Sequence, residues 1–431
     1  MNCNYLFRTR SHCGCLALAL GIIAAQRDAC GQEALRVATQ ADLAETAAAQ
    51  QSEGSSLGYY NLLVGPTAWR FSSGLGVEYN SNIRNSENAE SAIIVIPSLN
   101  TQMHWPVSIN NNLDISLGAG YSEYLQHSEL SQFFITSGSG FSFDVFVGDC
   151  RINLHDQVFL TQSSYQNPGV SGENKNVQTL QNTIGAGATW NFGRMVPSLG
   201  FDHADYLSLV SSTIPDTTSE NFTGSLGFPI QDEYTVGAEA GGSFITYGSG
   251  GQPSGFYVTG ATQWSAGLFG NSQITDYLSV QLRGGYTDYI PDNSVPGNSA
   301  NSDAGFYFSA SINHRVNQWL NYTLSGGRST DLSSFGQVQT RSYVSVSPAY
   351  NLFNHYQIST PFTYQSGTQP GFTPTSGVAN YDQLVLGITV SREITKKLSA
   401  SAEYQYVDEE STLATLTYTV NIISLNITYQ F

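Results

Sequence analysis

The sequence predicts an all-β fold, a transmembrane antiparallel up-and-down β-barrel of 16–18 strands. Three observations lead to this prediction. Polar and apolar residues alternate in runs of about 10 to 15 residues from position 66 onward, and short and longer connections between the runs themselves alternate. The last run is regular and ends on an aromatic residue.

Composition excludes two common classes of protein. Only 11% of the 431 residues are charged, against about 25% in soluble proteins, which argues against an ordinary cytosolic enzyme. Mean hydropathy is −0.17 and repeated apolar runs of about 20 residues are missing, which excludes a bundle of transmembrane helices. Aromatic residues make up 12% and Gly numbers 42, a composition that favours β-structure.

The N-terminal segment has the layout of a secretory signal peptide. Basic residues precede an apolar run at 15–25, and the small residues Ala29 and Gly31 stand at the −3 and −1 positions of a cleavage site. The apolar run is too short to span a bilayer, so a retained membrane anchor is the less favoured alternative. A lipoprotein signal at Cys30 is less favoured still, because Arg27 precedes it closely.

We therefore predict a signal peptide at 1–31, a periplasmic leader and linker at 32–65 and an outer-membrane β-barrel at 66–431. Loss of the signal peptide brings the net charge to about −19, which repels nucleic acid and argues against a nucleic-acid partner. Cys150 is then the one cysteine left, so no intramolecular disulfide is expected.

Eight connections are tight polar turns between apolar flanks, which is typical of β-hairpins. They lie near 110, 149, 193, 232, 276, 318, 354 and 396. Nine looser connections rich in Ser, Asn, Gly and Pro alternate with them, which predicts 18 strands and both chain ends on the tight-turn side, the periplasm in bacterial outer-membrane barrels. The run at 255–274 is long for one strand, which leaves a 16-strand count open.

Alternation within each run separates an apolar face from a polar face. Leu113, Ile115 and Leu117 alternate with Asp114 and Ser116. A soluble β-sandwich gives the same pattern, but long uniform strands in even number favour a closed membrane barrel, because a bilayer offers no water to unpaired backbone groups. Aromatic residues near the run ends suit the headgroup boundary of a membrane; they are Trp105, Tyr124, Trp190, Tyr206, Tyr247, Tyr289, Trp319 and Tyr364.

The C-terminal run is the most specific signal. Leu425, Ile427, Tyr429 and Phe431 alternate with polar residues, and this pattern resembles the β-signal with which outer-membrane proteins engage the barrel-assembly machinery. The resemblance implies that these four residues form an assembly signal. The surroundings expected for such a barrel are outer-membrane lipid and lipopolysaccharide.

A second resemblance covers residues 76–106. The turn Tyr79-Asn80-Ser81-Asn82-Ile83 and the later Pro97 are similar to the opening of the bacterial β-barrel porin 2 family, although Asn80 departs from the usual Asp. The resemblance implies an outer-membrane barrel. Some members of that family are associated with exopolysaccharide operons, which implies an export pore for polysaccharide.

The chemistry of an enzyme is missing from the sequence. No nucleophile elbow, HExxH, paired CxxC or phosphate-binding Gly loop occurs, so we predict no catalytic site, no cofactor and no metal site. Asp202 and His203 are strand neighbours that point to opposite faces and cannot cooperate. The acidic run from Asp408 to Glu410 either binds divalent cations or, as we favour, is a solvated charge cluster.

These observations predict a porin-like channel in the outer membrane of a Gram-negative-type bacterium, with both termini in the periplasm. It would pass or export small hydrophilic solutes or polysaccharide through a lumen that short loops leave open, unless residues 33–58 occupy it. A cation preference is expected because the candidate lumen charges are mostly acidic; they are Asp114, Asp144, Glu239, Arg283 and Glu403. The alternative is a structural or surface-interaction barrel without an open pore.

Overall fold

The computed structural model describes residues 60–161, 179–209, 216–231, 233–248, 258–293, 303–332, 338–352, 356–370 and 378–431. These residues form antiparallel strands and two single-turn 3-10 helices, Ser128–Leu130 and Ala414–Leu416. No helix in this part of the chain is long and apolar enough to cross a membrane.

The strands are β1 Leu62–Val64, β2 Thr67–Asn80, β3 Ala92–Pro106, β4 Asn112–Tyr124, β5 Gln132–Val147, β6 Cys150–Thr161, β7 Thr179–Trp190, β8 Val196–Ser208, β9 Thr217–Gln231, β10 Tyr234–Tyr247, β11 Val258–Thr275, β12 Leu278–Asn293, β13 Asp303–Arg315, β14 Leu320–Leu332, β15 Val338–Leu352, β16 Tyr356–Ser359, β17 Phe362–Pro370, β18 Val378–Thr395, β19 Leu398–Ser411 and β20 Tyr418–Gln430. Segments β16 and β17 pair with the same two neighbours and are halves of one wall strand, and β1 pairs only with β2. The wall of the described barrel therefore has 18 strands.

Each wall strand pairs with the next along the chain, and β20 pairs with β2 to close the sheet. The closing ladder runs from Ser72↔Gln430 to Asn80↔Ile422. The predicted closed antiparallel barrel is confirmed, and the 16-strand alternative is excluded because β11 pairs with β10 and β12 as one strand of 18 residues. All eight predicted hairpins join paired strands; residue 232 and the turn at 353–355 lie outside the described residues.

Large apolar side chains are concentrated on the outer face of the wall, as the alternation predicts. Leu117 is 50% exposed on this face, whereas the adjacent Gly118 is buried on the other. Rings on neighbouring strands meet there with centroids 5.0 to 6.3 Å apart; they are Phe201, Phe222 and Phe244 in one group and Trp264, Tyr286 and Phe306 in another. Two rings that we expected at the membrane boundary, Tyr247 and Tyr289, are instead buried, because they lie on the inner face.

A short N-terminal strand extends the closing seam. The Asn61 backbone N–H donates to Trp69 O at 2.9 Å, and its side-chain amide donates to Phe71 O at 2.7 Å and accepts from Phe71 N at 2.9 Å. The Phe431 N–H donates to the same Phe71 O at 3.2 Å. The Asn61 side chain thus pairs with the backbone of β2 at the point where β20 ends.

The C-terminal end of the predicted leader at 32–65 therefore forms β1, which pairs with strand β2 of the barrel wall. The predicted signal peptide at 1–31 and the rest of the leader, up to residue 59, lie outside the described residues. The boundaries of the three domains stay predictions.

The four residues of the predicted assembly signal share the outer face of β20 and its end. Leu425, Ile427, Tyr429 and Phe431 are all exposed, and the rings of the last two pack edge to face at 5.4 Å. They form a continuous apolar stripe beside the seam. Recognition by the assembly machinery stays a prediction.

We expect the folded barrel to be heat-modifiable. A closed sheet has no edge from which to unravel, so it should resist SDS at room temperature and unfold on boiling. Gel electrophoresis of unboiled and boiled samples tests this, and the unboiled sample should migrate faster. Identical migration would contradict the closed barrel.

Replacing Phe431 by Ser should lower the amount of protein recovered in the outer membrane, because it removes the terminal ring of the predicted assembly signal. Phe431→Tyr, which keeps the ring, is the matched control and should retain the wild-type amount. Quantitative immunoblotting of membrane fractions measures both. Wild-type recovery of the Ser variant would mean that the terminal strand is not the signal.

Candidate functional site

The inner face of the wall is the candidate functional site, and it is lined mainly by uncharged polar residues and Gly. One row of directly opposed residues crosses six strands from β6 to β11; it comprises His155, Gly185, Asp202, Asn221, Ser243 and Gln263. Hydrogen bonds run along it, such as that from Ser243 Oγ to Asn221 Oδ1 at 2.6 Å. Because side chains in a strand alternate, these residues share the face opposite the apolar one.

The structure places all five candidate lumen charges on this inner face, and three of the four acids have basic partners. Asp114 Oδ1 lies 2.6 Å from His104 Nδ1. Asp144 receives two bonds from the Arg151 guanidinium, at 3.0 and 3.1 Å. Such bidentate pairs are the stronger kind of ion pair. The role of these charges in conduction stays a prediction.

Arg283 forms an ion pair with Glu239. The Glu239 carboxylate also accepts a hydrogen bond from Tyr307 on β13, three strands away from β10. The Arg283 Nη1 to Glu239 Oε2 distance is 3.4 Å, and Tyr307 Oη donates to Glu239 Oε1 at 3.0 Å. Tyr307 reaches that far because the two intervening positions are Gly267 and Gly285, where a Cβ would overlap the tyrosine hydroxyl. The two glycines therefore make room for the contact.

A glycine on β7 likewise lets a side chain of β6 contact a side chain of β8, and we call such a position between two contacting side chains a glycine gap. His155 Nε2 lies 2.8 Å from Asp202 Oδ1, above Gly185 on the strand between them. The other ring nitrogen, Nδ1, lies 2.9 Å from Asn153 Oδ1, and the Asn153 amide donates to Asp144 Oδ1 at 2.9 Å. Both ring nitrogens of His155 thus lie within hydrogen-bond distance of a side-chain oxygen.

Glu403 differs from the other three acids. It lies in one row with Ser424 and Glu78, and Ser424 Oγ donates to Glu78 Oε2 at 3.3 Å. Within the described part of the chain, neither glutamate has a basic side chain within 4.0 Å. Sequence reasoning missed Glu78, although its place between Val77 and Tyr79 in the alternating β2 pattern marks it as inward.

The Asp202-His203 prediction is correct: the two side chains lie on opposite faces. His203 lies on the outer face, with Nδ1 2.7 Å from Glu220 Oε1 and Nε2 3.2 Å from Asp205 Oδ2. Among the described residues, no cluster of three or more His, Cys, Asp or Glu side chains could hold a metal ion.

The acidic run from Asp408 to Glu410 does not form one solvated cluster, so that prediction is wrong for its middle residue. Glu409 is 0% exposed and accepts a bond from Gln383 Nε2 at 2.8 Å. The reason is strand parity, which turns Asp408 and Glu410 outward and Glu409 inward.

One sector of the inner face is apolar, unlike the wet lining that the sequence predicts. A buried cluster lies on the inner faces of β18, β19 and β20; it comprises Val385, Val407, Tyr418, Val420 and Ile422. These residues are 0 to 4% exposed. The polar lining therefore belongs to the rest of the wall.

Comparison with solved structures identifies the class of fold. OccAB3 of Acinetobacter baumannii is similar with a TM-score of 0.50 and 11% identity, over 85% of this chain and 100% of that one. Two Pseudomonas aeruginosa structures, OccK5 (OpdH) and the outer membrane protein opdK, each give a TM-score of 0.47 at 8% identity, over 85% and 84% of this chain and 98% of theirs. The fold is that of an outer-membrane porin barrel.

No protein-family model matches the chain, and no characterised protein matches it by sequence. The resemblance of residues 76–106 to the β-barrel porin 2 family is thus not confirmed at the level of the family, whereas the porin architecture that it implies is present.

Replacing Gly185 by Ala should destabilise the barrel by about 1–3 kcal/mol, because the added Cβ would overlap Asp202 Oδ1 and lie 2.7 Å from both His155 Nε2 and Phe201 O. Gly187→Ala is the matched control on the same face of the same strand, where the nearest atom to a Cβ is 3.8 Å away. The temperature at which the folded gel band disappears measures both. Equal loss in the two variants would contradict the glycine gap.

Proposed function

We propose that this barrel is an outer-membrane channel for the passive passage of small hydrophilic solutes. The observation that carries the proposal is a closed wall of 18 strands with a mainly polar inner face. Barrels of 16–18 strands are wide enough to leave an aqueous channel. Ser, Thr, Asn and Gln side chains replace hydration for polar solutes, while the width of the lumen excludes large ones.

The channel prefers cations. Asp144 and Glu239 each face an arginine, so their fields are partly cancelled at short range. Glu78 and Glu403 have no such partner among the described residues and supply the net negative potential. Salt screens that potential over about 10 Å at 0.1 M, so the preference is strongest in dilute electrolyte.

The solute is a neutral or weakly charged hydrophilic molecule. Export of a polysaccharide remains within the proposal through the family resemblance, and the acidic lumen favours a neutral or basic glycan over an acidic one. A barrel without an open pore is the second candidate, and the buried apolar cluster on β18 to β20 supports it.

The proposed surroundings are outer-membrane lipid and lipopolysaccharide, with both termini in the periplasm. Exposed apolar residues and paired aromatic rings on the outer face support contact with lipid. The barrel-assembly machinery is the proposed partner during insertion.

Reversal potentials in planar bilayers under a KCl gradient test the proposal. The wild-type channel should select cations, and Glu78→Gln combined with Glu403→Gln should reduce the selectivity, because the variant removes two uncompensated charges.

The matched control is Glu239→Gln combined with Arg283→Gln, which removes an ion pair of zero net charge and should leave the selectivity nearly unchanged. Anion selectivity of the wild type would contradict the electrostatic part. A complete lack of conductance would favour the barrel without a pore.

A further inference from the structure

The inner face is packed on one side of the barrel at the loop end, which is the end opposite the tight turns. On β17 to β20 and β3 it carries large side chains that are buried there; they are Gln365, Tyr381, Gln383, Glu409, Tyr418 and Ile94. Tyr247, Tyr289 and Tyr343 extend this packing to β10, β12 and β15. Side chains that face an open lumen stay in contact with water, so their burial means that protein fills the space in front of them.

The inner face of β4 to β8 differs at the same end of the barrel. Its large side chains are half-buried rather than buried; they are Tyr124, Gln132, Phe134, Phe159, Gln181 and Tyr206. Gln181 lies directly between Phe159 and Tyr206, and its Nε2 donates to Tyr206 Oη at 2.9 Å. The buried inner-face residues nearby, Thr183 and Ala204, are small. Water therefore reaches the large side chains on this side of the lumen.

This sector continues into a cavity of about 410 Å³ toward the tight turns. Gln157 lines the cavity and is exposed, and Phe159 is the next inner-face residue on β6. Between the cavity and the rings, β5 has a bulge in which Gly138 has φ +85° and Gly140 φ +154°. The bulged Ser139 is buried, and its Oγ accepts from the Gly118 N–H at 2.9 Å. The bulge therefore leaves the way between the two regions clear.

The open sector is uncharged. From the level of Gln157 to the loop end, the described inner-face residues of β4 to β8 are aromatic, amide, hydroxyl or small residues. Glu78 lies two strands from Tyr124, beyond the buried Ile94 on β3. A charged solute would lose hydration here without meeting a counter-charge, which is costly. The lining therefore favours neutral solutes.

We propose that solutes cross the loop end of the barrel along β4 to β8, and that the half-buried rings make this path selective for neutral sugar rings. One face of a sugar ring consists of C–H groups, which pack against the electron-rich face of an aromatic ring. Its hydroxyls project at the edge, where the amides of Gln132 and Gln181 donate and accept hydrogen bonds. The rings that set the selectivity are Tyr124, Phe134, Phe159 and Tyr206.

The path deepens the proposed channel function and rests on it. It assigns the route of the solute to one sector of the wall, away from the buried apolar cluster on β18 to β20. It also narrows the class of solute from small hydrophilic molecules to uncharged rings.

Cysteine accessibility in planar bilayers tests the route, in a Cys150→Ser background. Gln181→Cys should react with a charged, water-soluble methanethiosulfonate reagent and lose most of its conductance, because the added group lies in the path. Gln263→Cys is the matched control, since Gln263 is a buried inner-face glutamine that also bonds to a neighbouring hydroxyl, that of Thr287. Its conductance should not change.

A conducting barrel in which the reagent leaves Gln181→Cys unaffected, or blocks both variants equally, overturns the path alone. A wild-type barrel that conducts nothing overturns the channel and the path with it.

Liposome swelling tests the selectivity with D-glucose and D-sorbitol, which are both uncharged six-carbon solutes, one a ring and the other an open chain. Wild-type liposomes should swell faster in glucose. Phe159→Leu, which keeps an apolar side chain and removes the ring, should shift the ratio of the two rates toward one.

Phe133→Leu is the matched control, because Phe133 is a phenylalanine on the outer face of β5 and is 49% exposed. It should keep the wild-type ratio, and heat-modifiability of each variant verifies folding. Equal rates in the wild type, or the same shift in both variants, would overturn the role of the rings.

Discussion

The pairing of β20 with β2 is the contact on which the rest of the structure depends. Hydrocarbon offers no hydrogen bonds to backbone groups, so a sheet with free edges cannot span a bilayer, and closure satisfies both edges at once. The ladder from Ser72↔Gln430 to Asn80↔Ile422 does this. Where β20 ends, the Asn61 side chain takes over the pairing with Phe71. Closure also fixes which residues face lipid and which face the lumen.

Glycine gaps organise the charges inside the closed wall. Gly185 lets His155 and Asp202 meet across a strand, and Gly267 with Gly285 lets Tyr307 reach a carboxylate three strands away. Charges in a partly desolvated wall are costly unless they are paired and hydrogen-bonded. The glycine gaps allow that pairing. The electrostatic potential of the lumen is therefore set by the few charged side chains that have no partner of opposite charge. Among the described residues, Glu78 on β2 and Glu403 on β19 belong to this group, and they are the groups to which we attribute the proposed cation preference.

Much of the fold follows from local pattern. The strand Tyr234–Tyr247 begins just after the tight turn predicted near 232, and strict alternation alone turns Asp114 and Glu239 inward. What local pattern cannot supply is pairing between strands that no tight turn connects. The His155–Asp202 and Glu239–Tyr307 contacts depend on register across two or three strands, and register follows from closure and from the bulge at Gly138 and Gly140. The Asp144–Arg151 pair could have been predicted from the sequence, since both residues flank one tight turn. The sequence analysis did not predict the apolar cluster on β18 to β20. Its inward-facing members are apolar at positions where the alternation rule expects polar residues.

A cysteine cross-link across the seam tests the closed barrel most directly. In a Cys150→Ser background, Val77→Cys with Leu425→Cys places two thiols at directly opposed positions of β2 and β20. Opposed residues of an antiparallel pair have Cα atoms about 4.5–5.5 Å apart, within the range of a disulfide. Oxidation in isolated membranes should cross-link this pair efficiently, whereas Val77→Cys with Ile423→Cys, displaced by two residues, should cross-link poorly. No cross-link in the first variant, or equal cross-linking in both, would contradict closure in this register.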